Sequence, residues 1–391
     1  MDQMIPNKRR NLLPTPQFLA EASDISKGKP LFIEILLFIV VYMLGSLVVQ
    51  NILVVVGVFA LALLDSPVLM SDPSLAALFK TMFSGVQLSE SQNSQLNSLL
   101  MANPYVQVIV LFSTIGSIVI VMVFCRFAEK RRLPSMGYRR PGFALEYLAG
   151  LLVGMLMFSL SVAICFVTGT ITFKGFDASI NWVLLALFLV GFGFQGMSEE
   201  LLCRGYFMVS MARRQKLVVA IIVSSAAFAA LHLGNSGVTG LALVNLVLFG
   251  AFACVYFVKR GSIWGVAALH SAWNFAQGNV FGIAVSGMDL SASVMRFAPT
   301  IDGTVINGGS FGLEGGLAVT VVLAVFTVIM LLTPSRNVAV GVGWAAAGAA
   351  AGWAAPTGAP VVPGAAPPNT PASTDMPFSP TPTPPDEKIT S

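Results

Sequence analysis

The sequence contains few charged residues and only two histidines. Asp, Glu, Lys and Arg make up 10% of the 391 residues, whereas 55% are hydrophobic and the mean hydropathy is +0.81. A soluble domain has about 25% charged residues, and a disordered chain combines low hydrophobicity with high net charge. The composition therefore excludes both classes and predicts an all-α protein that crosses a membrane several times.

Cysteine is also scarce, with four residues in the chain. All of them (Cys125, Cys165, Cys203 and Cys254) fall in or at the edge of apolar segments, so we expect no disulfides. The net charge of +4 does not indicate a nucleic-acid partner, because the basic residues lie where membrane topology places them.

Eight apolar segments are long enough to cross a bilayer, which needs about 20 helical residues. They are 31–64, 105–126, 143–169, 181–207, 217–235, 241–258, 263–284 and 315–333. The first segment has room for one tilted helix or for two short ones. One long helix leaves only Lys80, Lys174 and Arg296 on the outer side, with the other loop lysines and arginines inside. Cytoplasmic loops collect Lys and Arg, so we expect one helix in a multi-pass cell-membrane protein with cytoplasmic N- and C-termini.

The spans divide the chain into five predicted parts. They are a cytoplasmic N-terminal segment (1–30), the N-terminal membrane helices (31–180) with an outer insert (65–104), a core (181–278), an outer loop with the last membrane helix (279–333) and a tail (334–391). Apolar residues at helical spacing in the insert indicate a short helix, either on the outer leaflet or in a packed cap. The tail holds more than half of the 22 prolines, so we expect it to be disordered and cytoplasmic.

The fourth predicted span contains Glu199, Glu200 and Arg204. Ionisable groups at a helix centre cost about 2.5–3.5 kcal/mol each and are candidates for function. Glu200 and Arg204 are four residues apart and share a helix face, which predicts an ion pair. Glu199 points about 100° away and has no obvious cation on its own face. Two acids in different settings are typical of acid–base sites, although a structural ion cluster would give the same pattern.

Both histidines also lie in apolar segments. Phe228 and His232 are four residues apart in the fifth span, and His270 and Asn274 are four residues apart in the seventh. Each pair therefore shares a helix face. A lone histidine of this kind is more often a core residue bonded to a carbonyl, but two of them beside the acid pair favour a functional cluster.

These groups are a carboxylate, two imidazoles and an amide, without a Ser or Cys at an obvious spacing from a base. Water is therefore the expected nucleophile. Glu199 would take a proton from the water, and His232 would orient or activate it. His270 and Asn274, one helical turn apart, would both donate to the oxyanion formed from a scissile carbonyl. The set fits hydrolysis of an amide bond.

A zinc site is the alternative, since Glu199, His232 and His270 are possible ligands that would leave a position open for water. The sequence has no H-E-x-x-H motif, and Asn is a poor zinc ligand. We therefore favour water activation without a metal and expect no cofactor. Two weaker candidates are Cys203, expected to be a packing residue, and Glu314, expected to have a loop or cap role at the outer start of the last span.

The three polar stretches resemble the signature motifs of a known family. Glu199-Glu200-x-x-x-Arg204, Phe228-x-x-x-His232 and His270-x-x-x-Asn274 are similar to the motifs of the CPBP family of intramembrane proteases. That family comprises CAAX proteases and bacteriocin-processing enzymes, and it is related to the type II CAAX prenyl endopeptidases. The resemblance covers about residues 181–278.

The resemblance implies a helical membrane endopeptidase whose conical cavity opens toward the cytoplasm and the lipid. The implied roles are water activation (Glu199, His232), oxyanion stabilisation (His270, Asn274) and support (Glu200, Arg204, Phe228). Family members are widely labelled metalloproteases, and a glutamate mechanism without metal is also argued for them. The expected partners are a peptide or membrane-protein substrate and the lipid bilayer.

Two other functions compete with the endopeptidase. Charged groups in membrane helices also mark the ion paths of transporters and channels, but we find no internal repeat of the kind from which many transporters are built. A non-catalytic membrane partner, such as a bacteriocin-immunity or assembly factor, would use the same residues structurally. The three motifs together favour the endopeptidase hypothesis.

Overall fold

The computed structural model describes residues 12–336, and most of them are helical. Helices form at all eight predicted apolar segments: α1 (Leu31–Leu63), α2 (Pro104–Phe127), α3 (Phe143–Val167), α4 (Trp182–Ala212), α5 (Leu217–Ala230), α6 (Gly240–Arg260), α7 (Ile263–Phe275) and α8 (Leu317–Leu332). The chain is thus a polytopic helical membrane protein, as predicted. The predicted tail falls almost entirely outside the described residues.

Shorter elements connect these helices. They are helices at Gln17–Ile25, Pro67–Met70, Pro73–Phe83, Glu90–Ala102 and Thr304–Asn307, and 3₁₀ turns at Leu133–Met136, Ile301–Gly303, Gly309–Phe311 and Leu313–Gly315. Two antiparallel strands, β1 (Ile171–Phe176) and β2 (Met295–Pro299), pair with Ile171 opposite Pro299 and a bulge between Phe173 and Gly175. The strands join the segment after α3 to the long connection before α8.

The eight helices differ in length. Five of them (α1, α2, α3, α4 and α6) are long and apolar enough to cross a membrane. Helix α5 has 14 residues and α8 has 16, which gives about 21 and 24 Å at 1.5 Å per residue, against a bilayer core of about 30 Å. Helix α7 has 13 residues and continues as a π-helical turn over Ala276–Val280. Helix α5 is shorter than predicted because the chain turns after Ala230.

Helix α1 is one continuous helix of 33 residues, as the charge distribution predicts. Its middle, Met43–Gln50, is π-helical, and such a segment leaves carbonyl groups without their usual i→i+4 partner. The Asn51 amide donates to two of them, on Ser46 (3.2 Å) and Leu47 (3.1 Å). Gly45 packs against Ser117 of α2, and the hydroxyl oxygens of Ser46 and Ser117 lie 3.2 Å apart, so this part of α1 contacts α2 through small residues.

The insert forms three short helices with a small core of their own. Leu69, Leu75 and Phe79 are at most 1% exposed and pack with Val58 of α1 and Val106 of α2. The helix predicted in the insert is observed at Pro73–Phe83. Because its apolar side faces α1 and α2, the structure favours the packed cap over a helix lying on lipid.

Helices α3 and α7 make a close backbone contact. A Cβ built on Gly150 would lie 2.0 Å from the carbonyl oxygen of Gly265, and one on Gly154 would lie 2.1 Å from that of Leu269. Only glycine permits this approach, which is typical of small-residue contacts between membrane helices. The contact fixes the position of α7, the helix that carries His270.

Buried ion pairs join the helix ends on the side where the loop lysines and arginines gather. Glu129, just after α2, accepts from Lys29 before α1 and from Arg213 after α4. Arg213 also lies 3.6 Å from Glu34. Arg131 is 1% exposed and donates to the carbonyls of α4. We call this side of the bundle the basic face and the opposite side the distal face.

Candidate active site

Helix α4 carries the acid pair at a change in its helical geometry. It is α-helical through Glu200 and π-helical over Leu201–Met208. The predicted ion pair is present: Arg204 Nη1 donates to Glu200 Oε1 over 2.9 Å, and both residues are 0% exposed. Glu199 points elsewhere, and its side chain is 26% exposed. The two neighbouring acids therefore occupy different environments.

Arg204 has two further contacts that hold its guanidinium. Nη2 donates to the Gly250 carbonyl of α6 over 3.2 Å, and the guanidinium carbon lies 4.6 Å from the ring centroid of Phe228. Stacking on an aromatic face stabilises a buried cation. Phe228, the first residue of the second motif, thus supports the Glu200–Arg204 pair.

His270 connects the two acids. Its Nδ1 lies 2.9 Å from Glu200 Oε1, and its Nε2 lies 3.8 Å from Glu199 Oε2. The ring is 4% exposed and packs edge-on against Phe228 and Phe249. The first and third motifs, 70 residues apart in sequence, therefore meet at one point between α4 and α7.

Gln195 completes the cluster and was not predicted from the sequence. Its Nε2 donates to Glu199 Oε1 over 2.5 Å, and its Oε1 accepts from Asn274 Nδ2 over 2.9 Å. The amide thus links the predicted base to the predicted oxyanion donor. The sequence contains one indication of this role: Gln195 is a polar residue that lies one helical turn before Glu199 in an otherwise apolar segment.

His232 lies just beyond the end of α5, in the turn that follows Ala230. Its Nδ1 is 2.9 Å from the Phe228 carbonyl oxygen. Since a carbonyl only accepts, Nδ1 carries the proton and Nε2 remains free to accept in the neutral ring. The ring is partly exposed and packs on Phe228 at 4.8 Å between centroids.

One cavity of about 510 Å³ between the helices is bordered by Gln195, Glu199, His232, His270 and Asn274. Its polar lining includes the following residues: Tyr42, Ser46, Gln50, Asn51, Gln107, Thr114, Ser117, Gln195, Ser198, Glu199, His232, Asn235, Ser236, Asn245, His270, Asn274, Ser286 and Glu314. Leucine, valine and phenylalanine side chains fill the spaces between them. The cavity is a polar chamber with apolar walls, large enough for several residues of an extended peptide.

Glu314 is a second carboxylate in the cavity wall. It accepts from Trp273 Nε1 (3.1 Å) and from the backbone N–H (2.9 Å) and hydroxyl (2.6 Å) of Ser286. The predicted loop role agrees with these contacts, because Glu314 holds the loop that contains Ser286 against Trp273 of α7. Cys203 is fully buried and does not border the cavity, so it is a packing residue.

The candidate zinc ligands are not gathered as a metal site. Within residues 12–336, no group of three or more His, Cys, Asp or Glu side chains is placed to hold a metal ion. His270 Nδ1 is directed at Glu200, and the Nδ1 of His232 is directed at a carbonyl. Since the three candidate ligands are not placed as a metal-holding group within these residues, no step of the mechanism below passes through zinc.

One comparison with known proteins gave a match. Residues 181–276 match the family model described as Rce1-like, type II CAAX prenyl endopeptidase. No curated protein and no solved structure matched the chain. The matched range contains all three motifs and every residue of the Gln195–Glu199–His270–Asn274 cluster. The family predicted from those motifs is therefore confirmed over residues 181–276, which are similar to the Rce1-like, type II CAAX prenyl endopeptidase family.

Proposed function

We propose that this protein is an intramembrane endopeptidase that hydrolyses a peptide bond with water activated by Glu199 and His232. The observation that carries the proposal is the convergence of both motif histidines, Glu199 and Asn274 on one cavity between apolar helices. Polar groups buried at this cost inside a membrane bundle mark a functional site. The substrate is a peptide or membrane protein held in the lipid bilayer.

Glu199 is the general base of this mechanism. Its Oε1 is held by Gln195, and its Oε2 is buried without a hydrogen-bond partner among the described residues. A water molecule between Glu199 and the scissile carbonyl donates a hydrogen bond to the Glu199 carboxylate. Glu199 removes a proton as the water oxygen attacks the carbonyl carbon, and it returns the proton to the leaving amine when the C–N bond breaks.

His232 orients the same water. With Nδ1 bonded to the Phe228 carbonyl, its Nε2 accepts the second proton of the water in a hydrogen bond. The two acceptors, Glu199 and His232, come from different helices and both border the cavity. Together they fix the direction of the water lone pair, which lowers the entropic cost of attack.

Asn274 and His270 stabilise the oxyanion. Asn274 Nδ2 has two hydrogens, and Gln195 uses one of them. His270 donates from Nε2 in its imidazolium form, because its Nδ1–H is already directed at Glu200. Glu200 and Arg204 then act as positioning residues that fix the imidazole ring. Each oxyanion donor of this kind contributes on the order of 10²–10³ in rate.

The cation distribution supports an orientation in which the basic face is cytoplasmic. Loops and helix ends on that face include Lys29, Arg131, Arg213 and Arg260, whereas Lys80, Lys174 and Arg296 are on the distal face. Positive loops stay on the cytoplasmic side. We therefore place both the start of α1 and the end of α8 in the cytoplasm.

The test is cleavage of membrane-anchored peptides by purified protein in liposomes. Glu199→Gln keeps the size of the side chain and its contact with Gln195 but removes the base, so we expect cleavage to fall by about 10²–10⁴. The matched control is Glu90→Gln, on the exposed insert surface. Cleavage at the wild-type rate by Glu199→Gln, with unchanged thermal unfolding, would show that Glu199 is not the base.

A further inference from the structure

We infer that Glu314 is a positioning residue of the active site. Its carboxylate joins the turn that carries His232 to helix α7, which carries the two proposed oxyanion donors. The inference rests on the proposed function and adds a residue to that site. Glu314 lies outside residues 181–276, so the family match assigns it no role.

The Glu314 carboxylate accepts hydrogen bonds from two separate parts of the chain. Oε1 accepts from Trp273 Nε1 of α7 (3.1 Å), and Oε2 accepts from the backbone N–H (2.9 Å) and the hydroxyl (2.6 Å) of Ser286. Glu314 is 8% exposed, and a buried carboxylate is costly unless such donors compensate it. A glutamine of the same size has one acceptor oxygen, so it could serve only one of the two segments.

The backbone of Glu314 is fixed in turn by α6 and α8. Asn245 Nδ2 of α6 donates to the carbonyl oxygens of Glu314 (2.7 Å) and Gly316 (2.8 Å). Asn245 Oδ1 accepts from the Thr320 hydroxyl of α8 over 2.6 Å, and Asn245 is 1% exposed. The carboxylate therefore projects from a fixed point of the bundle, which lets it hold two other segments in place.

On the α7 side, Trp273 links Glu314 to the oxyanion donors. Trp273 is 1% exposed and immediately precedes Asn274. Its ring lies 5.5 Å from that of Phe249 between centroids, and Phe249 lies 4.9 Å from the ring of His270. Side chains of one helix turn together about its axis. The bond from Trp273 to Glu314 therefore limits a rotation of α7 that would turn both oxyanion donors away from a bound carbonyl.

On the other side, Ser286 links Glu314 to the turn that carries His232. The Ser286 carbonyl accepts from Asn235 Nδ2 over 3.0 Å. The backbone N–H of Asn235 donates to the His232 carbonyl over 3.0 Å and closes the turn. A displacement of Ser286 would therefore be passed to His232 through Asn235.

The backbone of Ser286 shows how firmly this loop is held. Its φ is +46°, which is uncommon for a residue other than glycine. Such a conformation persists only where surrounding contacts hold it, and it is found mainly at functional sites. A Cβ built on Gly287 would lie 2.0 Å from the Ser236 carbonyl oxygen, so the loop lies directly against the turn after α5.

The hydrogen bonds from Trp273, through Glu314 and Ser286, connect the two histidine motifs. In the proposed mechanism, the water that His232 orients attacks a carbonyl whose oxygen is held from α7. The two sides must therefore keep a fixed separation, since a displacement of reacting groups by about 1 Å costs on the order of 100-fold in rate.

The experiment uses the two histidines as reporters. The chain contains only His232 and His270. Protein carrying isotope-labelled histidine, purified without a histidine tag, therefore gives two imidazole signals by NMR in detergent, and His232→Gln assigns them. We expect Glu314→Gln to shift both signals and to lower kcat by about 10- to 100-fold, with KM changed less than about twofold.

Glu129→Gln is the matched control. Glu129 is a carboxyl of similar burial, 5% exposed, which bonds to Lys29 and Arg213 at the basic face and does not border the cavity. We expect Glu129→Gln to lower the unfolding midpoint and to leave both imidazole signals and kcat unchanged. If Glu314→Gln behaves in the same way, Glu314 is only a structural residue and the inference is wrong.

Ser286→Ala tests one side of the connection separately. It removes the hydroxyl donor and leaves Glu314 and Trp273 in place, so we expect the His232 signal to shift more than the His270 signal. This variant also decides the matter if Glu314→Gln does not fold. A His232 signal at its wild-type position in Ser286→Ala would contradict the connection from Glu314 to the turn.

The imidazole signals do not depend on catalysis, so the inference and the proposed function fail separately. If the protein cleaves no peptide but Glu314→Gln shifts both signals, the proposed function is wrong and the connection between the motifs stands. If the protein cleaves peptides and Glu314→Gln keeps the wild-type kcat, Glu314 is not a positioning residue and the proposed function stands.

Discussion

The neighbouring acids Glu199 and Glu200 occupy different environments in this site. Glu200 is fully buried and bonded to Arg204 and His270, so its charge is committed to structure. Glu199 borders the cavity, and its side chain is 26% exposed. A helix separates adjacent side chains by about 100°, which lets one acid hold the site together while the other faces the substrate.

Replacement of Gln195 best distinguishes a role in positioning the catalytic groups from a role in the stability of the fold. Gln195→Leu has a similar volume but leaves Glu199 and Asn274 without their shared partner. We expect kcat to fall by on the order of 100-fold, as for a small misplacement of reacting groups, with KM and the midpoint of thermal unfolding nearly unchanged. Gln95→Leu, on an exposed helix of the insert, is the matched control. A fall in stability without a fall in kcat would make Gln195 a purely structural residue.

Spacing alone predicts contacts within a helix better than contacts between helices. The Glu200–Arg204 pair follows from a four-residue interval and is present at 2.9 Å. The Gln195–Asn274 bond joins α4 to α7, and no interval in the sequence specifies it. The catalytic roles assigned to the motif residues remain predictions until a variant is measured.

At the scale of secondary structure, the main feature near the site is a local change of helix geometry in α4. Helix α4 changes from α-helical to π-helical after Glu200, over Leu201–Met208. Arg131 donates to two carbonyls of this π-helical segment, on Gly205 (2.7 Å) and Tyr206 (3.3 Å). An arginine from the loop after α2 thus stabilises the part of α4 that carries Arg204.

The α3–α7 contact gives a prediction about helix packing. In Gly154→Ala the new Cβ would lie 2.1 Å from the Leu269 carbonyl oxygen, so α7 must move. Overpacking of this kind costs about 1–3 kcal/mol. We expect a lower unfolding midpoint in detergent together with slower cleavage, because His270 moves with α7. The control Gly193→Ala meets only the Tyr147 hydroxyl at 3.6 Å and should behave as wild type.

The ion cluster at the basic face gives a prediction about pH. Burial disfavours the charged form of Glu129, but hydrogen bonds from Lys29 and Arg213 outweigh it and hold the pKa below the ordinary value of 4.5. A carboxyl with a lowered pKa stabilises the fold above its unfolded pKa, and this contribution is lost as the pH falls through its folded pKa.

Glu129→Gln should therefore unfold at a lower temperature at neutral pH and lose less stability than wild type when the pH falls below about 4.5. The measurement is the unfolding midpoint in detergent as a function of pH. Asp24→Asn, exposed on the N-terminal helix, is the control and should follow the wild-type curve. Parallel curves for wild type and Glu129→Gln would show that Glu129 contributes no pH-dependent stability.

Helix positions were predictable from apolar runs, but helix ends were not. All eight segments are helical, because a bilayer leaves few alternatives to hydrogen bonding within a helix. The fifth was predicted through residue 235, yet α5 ends at Ala230. Hydropathy does not show that His232 lies beyond the end of α5 and borders a cavity, because the turn is held by long-range contacts such as the bond from Asn235 to the Ser286 carbonyl.

At the scale of the whole molecule, charge and cavity lie on opposite sides. The loop cations gather at the basic face, and most residues that line the polar cavity lie in the distal half of the bundle. The distribution of Lys and Arg among the loops predicted the basic face. The position of the cavity was not predictable from the sequence, because its lining combines residues from seven of the eight helices with residues of the distal loops. The position of the cavity in the bundle therefore cannot be predicted without the three-dimensional arrangement of the helices.

The most direct test of the account is peptide hydrolysis by the purified protein before and after exhaustive chelation, with Glu199→Gln measured beside it. The account predicts that chelated wild-type protein keeps its rate and that Glu199→Gln loses it in both conditions. A wild-type rate that disappears on chelation and returns with zinc would contradict water activation by Glu199 and His232 alone.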